Sequence, residues 1–248
     1  MAMEKQYHIG IDSSHGARTA LLPGDPERVE TIAGHLRNPR FHSRNREYTA
    51  WVGELHNGEP VIVMSTGMGG PSAAVCVEEL YKTGVRDFIR IGTCGGMALD
   101  VTGGDLVIAT GAVRAEGTSR EYVPVEFPAV ADLDVTNALI SAARENGFDY
   151  HSGIVHCKDS FYGQHNPERM PVGYELERKW DAWIKAGCLA SEMESSALFV
   201  VCRVLGARAG CVLNVLWNQE RGKAGLPNPQ CLDPEKAIIT AVRAAENL

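Results

Sequence analysis

The chain has 248 residues, a formal net charge of −7 and 44% hydrophobic residues. At about 150 residues per domain this length fits one or two domains, and a single α/β domain of this size buries about 75% of the surface its unfolded chain exposes. That composition excludes wholesale disorder, and the acidic balance excludes a nucleic acid or anionic membrane held by bulk electrostatics, although a small anion can still be held by arginines gathered locally. In chain order, Met1–Gly10 is polar and lacks the apolar core of a signal peptide. Short apolar runs follow at Thr19–Leu22, Val61–Thr66, Phe88–Ile91, Asp105–Thr110, Gly153–Cys157 and Gly210–Leu216. They are rich in β-branched residues and do not alternate with polar ones, which predicts strands buried on both faces.

Helices are predicted between them. Pro71–Thr83 opens with proline and stops before Gly84, and Val135–Glu145 stops at Asn146-Gly147. Glu192–Leu205 is followed by Gly206. The last helix starts at Asp233-Pro234 and carries a stripe of Ala237, Ile238, Ala241, Val242 and Ala245. No apolar stretch suits a membrane helix. The seven cysteines include no CxxC pair and read as free thiols of a reducing compartment. The expectation is a cytoplasmic α/β protein, a single domain over residues 1–248 with a mixed central β-sheet covered by helices.

Four segments carry candidate chemistry. In Leu21-Leu22-Pro23-Gly24-Asp25-Pro26-Glu27-Arg28 a strand runs into a glycine turn and then a helix. Backbone can approach a ligand there, and Arg28 can close on an anion; a plain capped turn reads the same way. Ser65-Thr66-Gly67-Met68-Gly69-Gly70-Pro71-Ser72 resembles a phosphate loop without the Walker lysine, or a site of dense helix–strand packing. In Arg90-Ile91-Gly92-Thr93-Cys94-Gly95-Gly96 an arginine ends a hydrophobic strand, where ligands of open α/β sheets bind. A buried arginine needs a counter-anion, supplied by a protein carboxylate or by a bound phosphate. Glu192-Met193-Glu194-Ser195-Ser196-Ala197 sets two carboxylates at a helix start, pointing in different directions if both are helical. One would favour the helix N-terminus and the other could accept hydrogen bonds from sugar hydroxyls.

These segments, with Arg46-Glu47-Tyr48-Thr49 and Val125–Asp132, occur in one order along nearly the whole chain. Together they resemble the nucleoside phosphorylase family of the hexameric type, and within it the uridine phosphorylases. The resemblance implies reversible phosphorolysis of uridine to uracil and α-ribose 1-phosphate, in nucleoside salvage or catabolism. Inorganic phosphate would be the co-substrate and no organic cofactor would be needed. It implies that Gly24, Arg28, Arg90 and Thr93 hold phosphate and that Arg46 reaches it from a neighbouring subunit. Met193 and Glu194 would hold the ribose, with His8 from the neighbour at its 5′-hydroxyl. Phe161 and Gln164 would bind the base. Arg90 and Glu194 would be catalytic.

The base pocket departs from the family pattern in two places. Many relatives place an arginine two residues after the glutamine, whereas here Asn166 stands there; Arg169, displaced along the loop, or His165 would substitute. Hexameric purine phosphorylases carry an aspartate near Asn218, which cannot act as a general acid, so a pyrimidine is favoured. Arg221 is an additional donor and would join the catalytic residues. Glu47, Met68 and Ser72 match positions where some relatives bind a monovalent cation such as potassium between subunits. Family members form dimers, often three to a ring, so a dimer or a hexamer as a trimer of dimers is implied. Cys94 reads as a spectator thiol, and the other histidines show no metal-ligand spacing. A purine nucleoside phosphorylase, a nucleosidase using water and a non-catalytic nucleoside-binding protein are the alternatives.

Overall fold

The computed structural model describes residues 4–248. In chain order the strands and helices are β1 (Thr19–Pro23), α1 (Arg28–Ala33), β2 (Arg37–Asn45), β3 (Tyr48–Glu54), β4 (Pro60–Met64) and α2 (Gly70–Lys82). Then come β5 (Asp87–Gly96), β6 (Leu106–Ala115), α3 (Thr118–Tyr122), β7 (Ala129–Val130), α4 (Leu133–Glu145), β8 (Tyr150–Lys158) and α5 (Phe161–His165). The chain ends with α6 (Gly173–Lys185), β9 (Ala190–Glu192), α7 (Ser195–Leu205), β10 (Arg208–Asn218), α8 (Gln219–Lys223) and α9 (Glu235–Ala245).

Local chemistry explains most boundaries. Asp132 caps α4 by accepting from Asp134 N and Val135 N at 3.1 and 3.2 Å. Gly206 ends α7 with a φ of 73°, a left-handed conformation that costs glycine little. Asp233 accepts from Glu235 N at 3.0 Å where α9 begins.

The strands form one mixed sheet. β4, β1, β5 and β10 run parallel. β10 then meets β6 antiparallel, β6 pairs β8 and β8 pairs β9 in parallel, and β9 returns antiparallel to β5. Those five strands therefore close on themselves, which leaves the site no open edge on that side. The hairpin of β2 and β3 extends the other edge beyond β4. Both faces are covered: Leu22, Phe88, Leu80 and Phe199 belong to one core, and Leu21, Ile89, Val135 and Ile238 to the other. The switch of sides between Leu21 and Leu22 is the two-residue period of a strand, hidden in the sequence because both faces are apolar.

Three features differ from the sequence expectation. β2 is exposed over most of its length and rich in arginine, as suits an edge strand, so it carries no apolar pattern to read. Helix α6 is not among the predicted helices, although Leu176, Trp180, Trp183 and Ile184 form one apolar stripe along it. Residue Glu192 ends strand β9 rather than starting a helix, and α7 begins at Ser195.

Candidate active site

A cavity of about 800 Å³ opens where the parallel strands end and the returning strands arrive. The turn after β1 supplies Gly24 and Arg28, the turn after β4 supplies Gly67 and Met68, and β5 supplies Arg90, Gly92, Thr93 and Cys94. From the other side come Lys158, Ser191, Glu192, Met193 and Glu194. α5 brings Phe161, Gln164 and His165, and β10 brings Leu216 and Trp217. The two glycine turns are tied together, because Thr66 N donates to Pro23 O at 2.9 Å.

Arg90 is the centre of one end. It is buried, its Nε donates to Glu192 Oε2 at 3.2 Å and its Nη2 donates to Glu194 Oε2. Both carboxylates of the Glu192-Met193-Glu194 segment thus converge on one guanidinium, correcting the expectation that they diverge on a helix. The strand-to-helix break between them makes this possible. Glu192 also caps α7, accepting from Ser195 N at 3.0 Å and from Glu194 N at 2.9 Å. Glu194 accepts from Gly69 N at 2.6 Å. A Cβ on Gly92 would lie 2.9 Å from Arg90 Nη2, so only glycine lets the guanidinium fold back along β5.

The pair of acids is electrostatically split. Burial pushes the Glu194 carboxyl up, Arg90 opposes this and the neighbouring charge of Glu192 adds to it. Burial also works against the Glu192 charge, but Arg90, Ser195 and the Glu194 N–H outweigh it, and its pKa is lowered. Burial likewise disfavours the Arg90 charge, and Glu194 and Glu192 more than restore it. One donor is left over: Arg90 Nη1 is buried and has no hydrogen-bond partner. A Cβ on Gly24 would stand 4.0 Å from it, so the glycine turn and the free N–H border the same gap. Arg28 lies at the rim, with Nε 3.9 Å from Asp25 Oδ2. Such a gap suits a compact anion of high charge, because an unmade buried donor is costly and a charge-assisted bond is strong.

The other end is built from hydrogen bonds. Ser191 Oγ donates to Gln164 Oε1 at 2.8 Å, and Gln164 Nε2 donates to Gln219 Oε1 at 3.0 Å. Ser160 caps α5 through Gly163 N at 2.9 Å, which sets Phe161 and Gln164 on the helix. Phe161 is about half exposed and its ring centroid lies 4.3 Å from that of His165. Next, His165 stacks on Trp217 at 6.0 Å. Burial pulls the His165 pKa down, with Lys158 adding to the effect, so the ring is neutral and offers one donor.

Not every expected residue reaches the cavity. Arg221 donates through Nε to Pro227 O at 2.7 Å and through Nη1 to Leu99 O, and is not among the lining residues. The guanidinium of Arg169 lies over the Tyr162 ring at 5.8 Å, also away from the lining. Asn218 is fully buried and fully committed. Its Oδ1 accepts from Glu220 N and Arg221 N at 2.9 and 3.0 Å, and its Nδ2 donates to Ala98 O and Val101 O at 2.7 and 2.8 Å. It is a helix cap and a strut, and its amide is not a general acid.

His8 and Arg46 also lie outside this chain's own cavity lining. The His8 ring is held by Glu79, with Nδ1 2.6 Å from Oε1, leaving Nε2 available. Arg46 is exposed in the β2–β3 turn with a φ of 53°, which is costly for a residue with a side chain and common at functional positions. Glu47 and Met68 line the cavity mouth, and Ser72 Oγ lies 3.2 Å from Met68 O. Among the described residues no group of three or more His, Cys, Asp or Glu side chains is placed to hold a metal ion. Burial pushes the Cys94 thiol up, which leaves it protonated and a weak nucleophile.

Lys158, Ser191 and Trp217 also line the cavity and are not among the residues expected there from the sequence. Lys158 ends β8 and Trp217 is next to last in β10, where a rule about strand ends flags such residues, whereas Ser191 is the middle residue of the short strand β9.

The model of the Phosphorylase superfamily matches residues 18–246. A uridine phosphorylase of Treponema pallidum (strain Nichols) is 53% identical over 98% of this chain and 94% of its own length. The uridine phosphorylase of Escherichia coli (strain K12) is 38% identical over the whole of both chains. A guanosine phosphorylase of Halorubrum lacusprofundi is 38% identical over 98% of this chain and 95% of its own. With the family's segments folded around one anion-suited cavity and the match running almost end to end, this chain belongs to the phosphorylase superfamily.

Proposed function

We propose that the chain is a pentosyltransferase that phosphorolyses uridine to uracil and α-ribose 1-phosphate. The observation that carries this reading is the free Nη1 of Arg90 facing the Gly24 turn, at one end of a cavity whose other end presents an amide reader, Gln164. Phosphate would take the Arg90 gap, with Arg28, Gly24 and Thr93 around it. Glu194 would accept the ribose hydroxyls and Met193 would pack beneath the sugar. The Phe161 ring would cover the base while Gln164 pairs with its edge.

The geometry suits this reaction. As the C–N bond lengthens the sugar becomes oxocarbenium-like, and a phosphate held against it both stabilises that cation and attacks it. Holding the two substrates together supplies much of the remaining acceleration. Identity favours uridine, since uridine phosphorylases stand at 38% to 53% and the guanosine phosphorylase at 38%. The base end supports the pyrimidine: Asn218 is locked into four hydrogen bonds and leaves no acid to protonate a purine.

A shared site between two copies explains why His8 and Arg46 stand ready outside this chain's own cavity. A dimer, or three dimers in a ring, would lend them to the neighbour's ribose and phosphate. Glu47, the Met68 carbonyl and the Ser72 hydroxyl offer one charge and neutral oxygens, a set that suits a monovalent cation such as potassium. The cysteines are all free, which fits a reducing compartment such as the cytoplasm.

Uridine, inosine and guanosine incubated with and without phosphate provide the test, read as base release. Uracil release should require phosphate and exceed purine release at least about tenfold, a transition-state preference of roughly 1.4 kcal/mol. Equal or faster purine release would sink the pyrimidine reading. For the shared site, Arg46→Ala and Glu194→Ala should each be nearly inactive, and refolding the two together should restore about a quarter of wild-type activity through mixed dimers. No recovery from well-folded mixtures would return Arg46 to its own subunit.

A further inference from the structure

Lys158, the last residue of β8, is a buried cation at the base end of the cavity. With Gln164 and His165 it also borders a second cavity of about 600 Å³ behind, so it stands in the partition between the two. Its Nζ donates to Ser191 Oγ at 2.8 Å, and among the described residues it forms no ion pair. The other cations of the lining are matched, Arg90 by Glu192 and Glu194 and Arg28 by Asp25. An ammonium has three N–H donors, and only one is used here. Burial pulls the Lys158 pKa down and the charge of Glu192 opposes it, as expected for a cation short of a close counter-ion.

Burying a charge without its partner is costly, so a fold that does so gains when an anion arrives beside it. The direction of the hydrogen-bond chain points the same way. Ser191 gives its proton to Gln164 and can only accept from Lys158, so Lys158 keeps its proton in this chain and has two further ammonium donors to offer at a position that lines the cavity.

We propose that Lys158 is the catalytic residue that receives the negative charge of the departing base, donating a hydrogen bond to a carbonyl oxygen of the pyrimidine as the glycosidic bond breaks. This rests on the phosphorolysis reading above. A phosphate oxygen supplies the electron pair of the new C1′–O bond, and the C1′–N1 pair leaves with the base. Negative charge then spreads over the base nitrogen and its carbonyl oxygens. Lys158 keeps its proton throughout. The new phosphate ester and the base anion afterwards exchange one proton through solvent. Preorganised donors aimed at developing charge are the kind of group that lowers such a barrier.

The test compares full-length wild type with Lys158→Met and with Lys158→Arg. Uridine and 5-fluorouridine are the substrates, the second having a base that leaves as a more stable anion. In Lys158→Met, kcat for uridine should fall about a hundredfold with little change in KM, and the loss for 5-fluorouridine should be clearly smaller. Lys158→Arg should recover part of the loss. Calorimetry in the presence of phosphate adds a readout without turnover. Barbiturate, a uracil analogue that is anionic near neutrality, should lose at least about tenfold more affinity than neutral uracil. Lys158→Gln, which can still hydrogen-bond Ser191, carries the same comparisons if Lys158→Met does not fold. Equal losses for both nucleosides and both bases would overturn the assignment and leave Lys158 a prop for Ser191 and Gln164. If wild type neither cleaves uridine nor binds uracil, the uridine reading itself falls and takes the assignment with it.

Discussion

At the end of the cavity proposed for phosphate Arg90 is clasped between Glu192 and Glu194, and backbone N–H groups of Gly69, Glu194 and Ser195 hold the carboxylates. At the base end Lys158, Ser191, Gln164 and Gln219 form a chain of hydrogen bonds with one charge and no ion pair. The first arrangement is over-determined, since every member has several partners on different elements. The second is a single file in which each group depends on the next. An anion that is the same in every turnover can be met by a rigid charge cluster. A base that must be distinguished from others is better met by oriented, neutral donors and acceptors, because a wrong partner leaves them unpaired.

The sharpest way to break this contrast is Arg90→Met. Removing one member of a buried ionic cluster typically costs 3–5 kcal/mol, roughly, because the remaining charges are stranded. The two carboxylates would face each other without their cation, so unfolding by urea should show that loss and phosphorolysis should vanish. A stable, active Arg90→Met protein would mean that the cluster is neither the structural nor the phosphate-binding centre.

At the base end the expected effect is smaller and confined to the substrate. Gln164→Ala should lower kcat/KM for uridine by an equivalent of roughly 2–4 kcal/mol, because a paired donor and acceptor are lost in a desolvated site. Phosphate binding by calorimetry should hardly move. If it fell as much as uridine turnover, the two ends would be one cooperative unit and the contrast would dissolve.

Asn218→Asp tests whether the base end could be turned toward purines by one substitution. The carboxylate cannot donate to Ala98 O and Val101 O, so one partly buried and one buried carbonyl lose their partners. A loss of about 1–3 kcal/mol in stability is expected, with no gain in inosine cleavage. Appearance of purine activity would show that the cap can double as an acid.

The mildest probe is pH. His156 contacts Ser191 Oγ at 3.2 Å from beneath the base end, and burial, with Lys158 adding to it, lowers its pKa to about 4. The unfolded chain therefore binds a proton near pH 6.5 that the folded chain refuses until about pH 4. Stability from this group is present above pH 6.5 and declines as pH falls through that window. The slope contributed is at most about one proton, and His156→Gln should remove it from urea unfolding curves. An unchanged slope would place the acid sensitivity elsewhere, with buried His15, also lowered to about 4, as the next candidate.

The two ends were unequally legible. Gly24, Arg28, Arg90, Thr93 and Glu194 sit in local sequence patterns, glycines beside strand ends and a lone arginine closing an apolar run, and the fold brings all five to one cavity. Such patterns survive in sequence because backbone conformation and burial constrain the residues beside them. Lys158 closes an apolar run as Arg90 does but has no glycine beside it to mark a ligand turn, and Arg169 and Arg221 are suitable by type yet turn to Tyr162 and to backbone carbonyls. Side-chain reach depends on what the neighbouring elements offer, which spacing along the chain does not encode.

By itself the sequence determined the mixed α/β character, the positions of helices α2, α4, α7 and α9 through their proline starts, caps and glycine stops, and the glycine turns on which an anion site depends. These are local properties, decided by φ preferences and by burial over a few residues. Tertiary structure alone decided that β9 would return antiparallel to β5 and pair Gly95 with Ser191, and that Glu192 and Glu194 would meet on one guanidinium. It also decided that Lys158 would end buried beside Ser191, 33 residues away in the chain. Strand pairing across such separations is chosen by the packing of whole faces against each other, and no short segment carries the information that selects it.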